Sequence, residues 1–315
     1  MKKNLPLIGL LIAASFNVMA GEKVDKTLPI NDASEIDINN LRGIVKIIGS
    51  DRNDVRVVGE LDDKAQALEF EQVGSRINVK VKMPKSSSKG WGSHQETELT
   101  VYVPSSVRTN FNGVSSDVEA DNLLAGSNLR SISGSIIANN LGQYIELSSV
   151  SGDIKATTFD GKVSLSSVSG NIYGSDIAGR LNARTVSGDI ELSSIANEVF
   201  FKTVSGDIDA QLENIDEIDL GTVSGDIETQ LTLNDDAAMK MSSVSGDFDL
   251  YFSGKVNASF NLSSNAGGSY VNKLSKDKPV KAKYGPSSSL VFDLGNASAT
   301  VRGTTVSGTF TLKQK

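Results

Sequence analysis

The sequence predicts an all-β protein, a right-handed parallel β-solenoid of about 18-residue coils with a strand-rich N-terminal cap. Three observations lead to this prediction. The phrase Ser-Val-Ser-Gly-Asp-Ile recurs, with small variations, at a nearly fixed interval, which indicates one supersecondary unit stacked on its own copies. Apolar and polar residues alternate within each copy, as in a strand. The composition is rich in Gly, Ser, Val, Ile and Asp, which is typical of strands joined by tight turns.

One glycine marks each copy of the phrase and gives the period. Successive glycines are about 18 residues apart along most of the series, and the last two steps are slightly longer. We interpret each glycine as an inward position where a Cβ would not fit, and the alternative is a glycine that lets a ligand approach the backbone. These repeat glycines are Gly134, Gly152, Gly170, Gly188, Gly206, Gly225 and Gly246.

Each repeat offers two short strands and two corners, so one repeat can form one flattened coil. The alternative is a series of hairpins, which would need a short turn between antiparallel partners in every copy. In the parallel arrangement, equivalent positions stack ~4.8 Å apart in columns of constant chemical character. Two apolar columns are predicted to face inward. The first consists of Val150, Val168, Val186, Val204, Val223 and Val244, and the second of Ile154, Ile172, Ile190, Ile208, Ile227 and Phe248.

An acidic residue follows most of the repeat glycines, and this pattern predicts a row of carboxylates on the outside of the stack. The row consists of Asp153, Asp189, Asp207, Asp226 and Asp247, with Asn171 interrupting it. The flanking column becomes acidic toward the C-terminus and consists of Lys155, Tyr173, Glu191, Asp209, Glu228 and Asp249. Two interpretations stay open: each Asp caps its turn with its own side chain, or the carboxylates bind Ca²⁺. The chain departs from the stacked calcium repeat Gly-Gly-x-Gly-x-Asp, because it has one Gly-Asp per coil.

A column of hydroxyl groups precedes the valines. We interpret these side chains as corner hydroxyls that bond backbone groups. The column consists of Ser149, Ser167, Thr185, Thr203, Thr222 and Ser243.

Four segments are predicted along the chain. Residues 1–20 have a charged start, an apolar stretch and a small-residue cleavage site, and are predicted to be a signal peptide. Residues 21–111 would form the β cap region, residues 112–262 the solenoid repeats and residues 263–315 the closing β region. The copy at 242–262 is predicted to stack as one more coil, and the final Val-Ser-Gly at 306–308 reads as the terminal repeat. The protein is therefore expected to be exported in a bacterium, to the periplasm or to the cell surface.

The charge balance restricts the partners. Removal of residues 1–20 would change the formal net charge from −7 to −9, which argues against nucleic acid and against anionic membrane surfaces. A looser basic stretch follows from Lys273 to Lys283. The mature chain contains no apolar run long enough to span a bilayer as a helix. With no cysteine, the chain can form no disulfide.

Several of these features together resemble the DUF4097 family of exported bacterial β-strand-repeat proteins. The residues that carry the resemblance are the strand at 43–47, the strand end at 101–104, the Val-Ser-Gly-Asp-Ile series and the closing segment at 295–310. The resemblance covers residues 30–313. It implies a β-solenoid-like envelope protein of adhesin type, and it offers no catalytic or binding residues that could be assigned here.

The function expected from the sequence is that of a non-catalytic, adhesin-like protein or envelope scaffold with a protein or glycan partner. A calcium- or carbohydrate-binding module is the first alternative, and Trp91 in the loop around residues 84–95 could stack on a sugar. A polysaccharide-acting β-helix enzyme is the second alternative. Such an enzyme needs acidic and basic groups that converge on one groove, whereas here the single His94 lies in that loop. No cofactor is expected, apart from calcium under the first alternative.

Overall fold

The computed structural model describes residues 21–84 and 95–315, and these residues form one sheet system of 22 strands. The predicted signal peptide, Trp91 and His94 lie outside the described residues. Within residues 21–84 and 95–315, no helix is long and apolar enough to cross a membrane. The all-β prediction is confirmed.

The bounds of the described strands are as follows. The N-terminal strands are β1 (Lys23–Pro29), β2 (Glu35–Ser50), β3 (Asp54–Glu60), β4 (Ala67–Val73), β5 (Arg76–Lys82), β6 (Thr97–Pro104) and β7 (Arg108–Leu123). The middle strands are β8 (Ser127–Ser131), β9 (Ile136–Ser149), β10 (Ile154–Ser166), β11 (Ile172–Arg184), β12 (Ile190–Ser194), β13 (Glu198–Lys202), β14 (Ile208–Gly221) and β15 (Ile227–Ser242). The C-terminal strands are β16 (Phe248–Phe252), β17 (Ala258–Ser264), β18 (Ser269–Asn272), β19 (Val280–Lys281), β20 (Ser288–Asp293), β21 (Ala299–Thr305) and β22 (Thr309–Gln314).

Strands β7 to β16 pair in parallel, each with the equivalent strand of the next repeat. Ile136 lies opposite Ile154, which lies opposite Ile172, and the same column continues through Ile190 to Ile208. Because each pair joins equivalent residues of consecutive copies, the parallel arrangement is the one observed and the hairpin alternative is wrong for the repeats.

The isoleucine column forms the centre of the core. Its members are at most 1% exposed from Ile136 through Phe248 to Phe310. At the C-terminal end of the column, the Phe248 and Phe310 rings stack with centroids 5.2 Å apart. Removal of this apolar surface from water is the main term that stabilises the stack.

A second corner turns the chain inside the long strands. Asn122, Asn140, Thr158 and Asp176 occupy equivalent positions with φ between 54° and 61°. Asn and Asp tolerate this left-handed conformation better than other residues with a side chain. The Asn140 Nδ2 donates a hydrogen bond to the Asn122 Oδ1 at 2.9 Å, so the corner is also joined from coil to coil.

The parallel stack begins earlier in the chain than residue 112. Strand β2 pairs in parallel with β7 on one edge, and with β5 and β6 on the other edge. Gly43 lies opposite Ser116, so a coil of the stack falls inside the predicted cap region. Three further pairs in this region are antiparallel: β3 with β6, β1 with β3, and β4 with β5. These strands cover edges that would otherwise be free to pair with another chain.

The C-terminal strands do not stack in the order of the sequence, and two predictions fail here. Strand β21 pairs with β15 on one side and with β17 on the other. Strand β22 likewise lies between β16 and β18. The copy at 242–262 is therefore divided between two levels, and the last Val-Ser-Gly of the chain is inserted inside the stack. A regular sequence period predicts which segments are equivalent, but it cannot show that a later segment fills a level left open by an earlier one.

Candidate functional site: the repeated corner and the acidic columns

The repeated corner is held by the hydroxyl that precedes the valine. In the copies from Gly134 to Gly225, the glycine N–H donates a hydrogen bond to the Ser or Thr three residues earlier, whereas in the copy at Gly246 the Ser243 hydroxyl donates to the Gly246 carbonyl at 2.7 Å. The distance is 2.9 Å for Gly152 to Ser149 and 3.0 Å for Gly206 to Thr203. These hydroxyls are buried, so an unpaired glycine N–H beside them would lose its hydration without compensation. The interpretation of this column as corner hydroxyls is confirmed.

The glycine column has no room for a side chain. A Cβ on Gly206 would lie 1.8 Å from the carbonyl oxygen of Gly188, and a Cβ on Gly152 would lie 2.1 Å from that of Gly134. The steric interpretation is therefore confirmed. The obstacle is the backbone of the preceding coil, which the corner brings close to the glycine.

The valine column points outward, and the prediction that it faces the core is wrong. Val150, Val168, Val186, Val204, Val223 and Val244 are each between 41% and 47% exposed. The alternation of a strand does not continue through the corner, because the chain bends between the hydroxyl and the glycine. The buried place that alternation assigns to valine is taken by the hydroxyl side chain.

Each aspartate of the row bonds the backbone of the next coil. The N–H of Asp207 donates to Asp189 Oδ1 at 2.9 Å, and the N–H of Asp226 donates to Asp207 Oδ1 at 2.8 Å. The same bond joins Asn171 to Asp153, Asp247 to Asp226 and Thr309 to Asp247. The structure thus gives Asp153, Asp189, Asp207, Asp226 and Asp247 a role between coils, rather than a cap on their own turns. Asn171 fits the row because its Oδ1 accepts the N–H of Asp189 equally well, at 2.9 Å.

The two acidic columns lie side by side in the second half of the stack. The partners in the flanking column are Glu191 with Asp209, Asp209 with Glu228, and Glu228 with Asp249. A shallow cavity of about 420 Å³ is lined by these residues together with Asp189, Asp207 and Asp226. Among the described residues, no three His, Cys, Asp or Glu side chains are grouped as metal ligands would be.

A second cavity lies one to two coils earlier on the same face. It has a volume of about 410 Å³, and its lining includes Lys155, Tyr173, Glu191 and Asp209. Gly174 is part of the lining, and the Leu192 side chain of the next coil occupies the place that a Cβ on Gly174 would take. The Asn171 Nδ2 donates a hydrogen bond to the Tyr173 hydroxyl at 2.9 Å, which fixes the ring at the edge of the cavity.

One buried charged cluster was missed by sequence reasoning. The guanidinium of Arg42 forms an ion pair with Asp62, and lies 3.7 Å from Asp63 and 3.8 Å from Glu96. The hydrogen bond to Asp62 raises the pKa of Arg42 above its ordinary value. Burial acts to raise the pKa of Asp62, but hydrogen bonds from Arg42 and from the Lys64 backbone outweigh it and hold that pKa below 3.8. No sequence signal marks this pair, because its members are well separated in a segment without repeats.

Three crystal structures are similar over most of the chain. A candidate lipid-binding protein from Parabacteroides distasonis is 15% identical, with 94% of this chain and 97% of that chain covered and a TM-score of 0.42. A candidate adhesin from Bacteroides fragilis is 15% identical, with 93% of this chain and 97% of that chain covered and a TM-score of 0.37. A candidate cell adhesion protein from Clostridium sporogenes is 10% identical, with 94% of this chain and 100% of that chain covered and a TM-score of 0.22. At these identities and TM-scores, none of them supports a statement about function. No curated protein matches the chain.

The family assignment comes from a sequence profile. A profile described as Toastrack DUF4097 matches residues 33–313, which confirms the resemblance found in the repeats. The protein therefore belongs to the DUF4097 (Toastrack) family.

Proposed function

We propose that the protein is an exported, non-catalytic scaffold of adhesin type, built as a right-handed parallel β-solenoid of about 18-residue coils. One observation carries the proposal: the repeated residues join coil to coil, and they leave long uniform columns of side chains on the outside. A rigid surface with repeated chemistry suits the binding of an extended partner, because each coil adds a further equivalent contact. The partner would be a protein or a glycan of the bacterial envelope.

Export and exposure are tested by fractionation of cells together with protease treatment of intact cells. An adhesin predicts that the protein loses residues 1–20 and is cut by protease added outside the cell. A mature protein that stays protected in the periplasm would overturn the adhesin role and would favour a periplasmic scaffold. Retention of residues 1–20 on a cytoplasmic protein would overturn export itself.

A calcium- or carbohydrate-binding module is the second proposal, and the two neighbouring cavities favour it. The cavity at Tyr173 combines an aromatic ring with hydroxyl, amide and charged groups, as sugar sites do. The cavity at Asp207 is lined by carboxylates together with three isoleucines. Each aspartate of the row uses Oδ1 for the backbone, so a cation would have to bind through the remaining oxygens.

Two measurements separate these possibilities. Calcium binding predicts that the unfolding temperature of residues 21–315 rises with calcium and falls with a chelator, and equal temperatures would contradict it. Binding on a glycan array that disappears in Tyr173→Ala would support the carbohydrate module, and an array without binding would contradict it. Release of reducing sugar from a polysaccharide would overturn the non-catalytic part of the first proposal.

A further inference from the structure

The charge of the chain is unevenly distributed, and its basic part lies at one end of the stack. Five lysines and one aspartate occur between residues 273 and 283. These lysines are exposed, and they take part in none of the ion pairs formed among the described residues. We call residues 273–287 the basic hairpin, since they contain β19 and the turn that leads from β19 to its antiparallel partner β20. The lysines are Lys273, Lys276, Lys278, Lys281 and Lys283.

The basic hairpin is outermost in its row of strands. In that row the order is β15, β21, β17, β20 and β19, so β19 lies farthest from the repeats. The hairpin therefore forms the outer end of the stack, whereas the acidic columns run along the side of the stack. A charged surface that approached this end would meet the lysines before it met the carboxylates of the row.

The hairpin also carries the two most exposed large hydrophobic side chains of the described residues. Tyr284 is 82% exposed and Val280 is 69% exposed. Tyr284 lies in the turn that is closed by the bond from Ala282 N–H to Ser287 O at 2.9 Å, and Gly285 supplies the positive φ of 91° that this turn needs. A soluble protein gains nothing from exposing both side chains at one tip, where neither is packed against the core.

Hydrogen bonds hold the hairpin in place. Asn272 Oδ1 accepts the N–H groups of Leu274 and Ser275, at 3.0 and 3.2 Å. The Tyr270 hydroxyl donates to the carbonyl of Ser288 at 2.8 Å, and the N–H of Lys273 donates to the carbonyl of Leu312 at 2.9 Å. The lysines and Tyr284 are thus presented on an ordered support, so binding would require little further ordering of the chain.

We propose that the basic hairpin is a docking site for an anionic lipid bilayer, which the protein would meet end-on. Lysines near a negatively charged leaflet are attracted to it, and an exposed Tyr with a neighbouring aliphatic side chain prefers the level of the headgroups. The combination favours a bilayer over a soluble polyanion, because the polyanion would leave Tyr284 and Val280 in water. The negative charge of the whole chain predicts no attraction to such a surface, but screening within about 8 Å at physiological salt lets the local charge dominate.

The test measures co-sedimentation of residues 21–315 with lipid vesicles. Vesicles with about one-third phosphatidylglycerol should bind the protein, vesicles of phosphatidylcholine alone should not, and 0.5 M NaCl should release most of it. The triple variant Lys278→Gln, Lys281→Gln and Lys283→Gln should lower the partition coefficient about 100-fold, at roughly fivefold per lysine. The double variant Val280→Ser and Tyr284→Ser should lower it about tenfold.

Matched controls carry the same changes elsewhere. The first is Lys26→Gln, Lys162→Gln and Lys240→Gln, three exposed lysines outside the hairpin, and the second is Tyr144→Ser, where the tyrosine is 64% exposed. Both controls should bind like the unchanged protein. Circular dichroism would confirm that every variant folds.

Three results would overturn the proposal. The first is equal sedimentation with both kinds of vesicle, or with neither. The second is a loss of binding in the controls as large as that in the hairpin variants. The third is that replacement of Val280 and Tyr284 leaves vesicle binding unchanged while inorganic polyphosphate fully displaces the vesicles, since this would identify a soluble polyanion as the ligand. None of these measurements depends on where the protein is found in the cell, so the scaffold proposal and this one can fail separately.

Discussion

Replacement of Gly206 by alanine should separate two coils of the stack. The added Cβ would lie 1.8 Å from the carbonyl oxygen of Gly188, whereas real Cβ atoms essentially never come within 3.0 Å of a heavy atom outside their own and the adjacent residues. The two backbones must therefore move apart by at least the difference between these two distances. Three inter-coil hydrogen bonds of 2.9 Å cross at this point, from Ser205 to Val186, from Asp207 to Asp189 and from Ile190 to Asp207.

The expected cost is about 4 kcal/mol of the free energy of unfolding, because overpacking costs ~1–3 kcal/mol and each weakened hydrogen bond contributes up to ~1 kcal/mol. Gly221→Ala is the matched control, because the nearest atoms to its Cβ are 3.5 Å away and its φ is not positive. That control should change stability by less than ~1 kcal/mol, with stabilisation the expected sign.

The assay is urea unfolding of residues 21–315, followed by circular dichroism in the far ultraviolet. We expect a clearly lower urea midpoint for Gly206→Ala and an unchanged or higher one for Gly221→Ala. Equal midpoints for the two variants would refute the reasoning that coil contact, rather than chain flexibility, requires glycine in the phrase.

The same unfolding assay checks four further predictions. Thr203→Val should cost ~1–2 kcal/mol because the buried N–H of Gly206 loses its acceptor, while Thr203→Ser should cost much less; equal losses would contradict the role of the hydroxyl. Asp207→Asn should be nearly neutral and Asp207→Ala should cost ~1 kcal/mol, because Asn keeps the Oδ1 acceptor; the reverse order would refute the coil-to-coil bond. Arg42→Met should cost ~3–5 kcal/mol by leaving Asp62 buried without its partner, and adding Asp62→Leu should restore most of it; no recovery would contradict the pairing. Because the pKa of Asp62 is lowered in the folded state, the stability that Asp62 contributes is present above its ordinary pKa of 3.8 and is lost as the pH falls below that value. The urea midpoint measured against pH should therefore show a weaker loss in acid for Asp62→Leu than for the unchanged protein.

The period of the phrase was sufficient to predict the parallel stack. A nearly constant spacing between equal residues makes coil-to-coil pairing the simplest arrangement, and the isoleucine column is buried as predicted. The hydroxyl and glycine columns were also predicted correctly, because their chemistry is local: one accepts a backbone N–H, and the other avoids a neighbouring carbonyl.

The valine column shows where such reasoning stops. Alternation is a property of extended chain, and Val150 lies where the chain bends. The sequence signal for the bend is the Ser-Gly pair that follows, but it does not tell which side chain turns inward. Burial of Ser149 in place of Val150 is decided by the hydrogen bond to Gly152, which appears once the corner is built.

Two other features depend on contacts between distant segments. Strands β21 and β22 enter the stack between strands that precede them in the chain, and Arg42 meets Asp62 across a connection without repeats. Neither the insertion of these strands nor the Arg42–Asp62 contact produces a repeated pattern in the sequence. The acidic row was predicted from the repeats, but its bonds to the next coil could be seen only after the register was known.

The central claim, that consecutive copies of the phrase lie on top of one another in parallel, can be tested by disulfide trapping. The chain has no cysteine of its own, so the pair Ser187→Cys and Ser205→Cys would be the only thiols. These positions belong to adjacent coils, ~4.8 Å apart, which is within the Cα separation of a disulfide. The control pair Ser187→Cys and Ser224→Cys spans two coils, about 9.6 Å.

The measurement is the fraction of intramolecular disulfide formed with a mild oxidant, read by mass spectrometry on the folded protein. We expect a disulfide in the adjacent pair and none in the control pair. A folded adjacent pair that stays reduced, or equal trapping in both pairs, would contradict the stack.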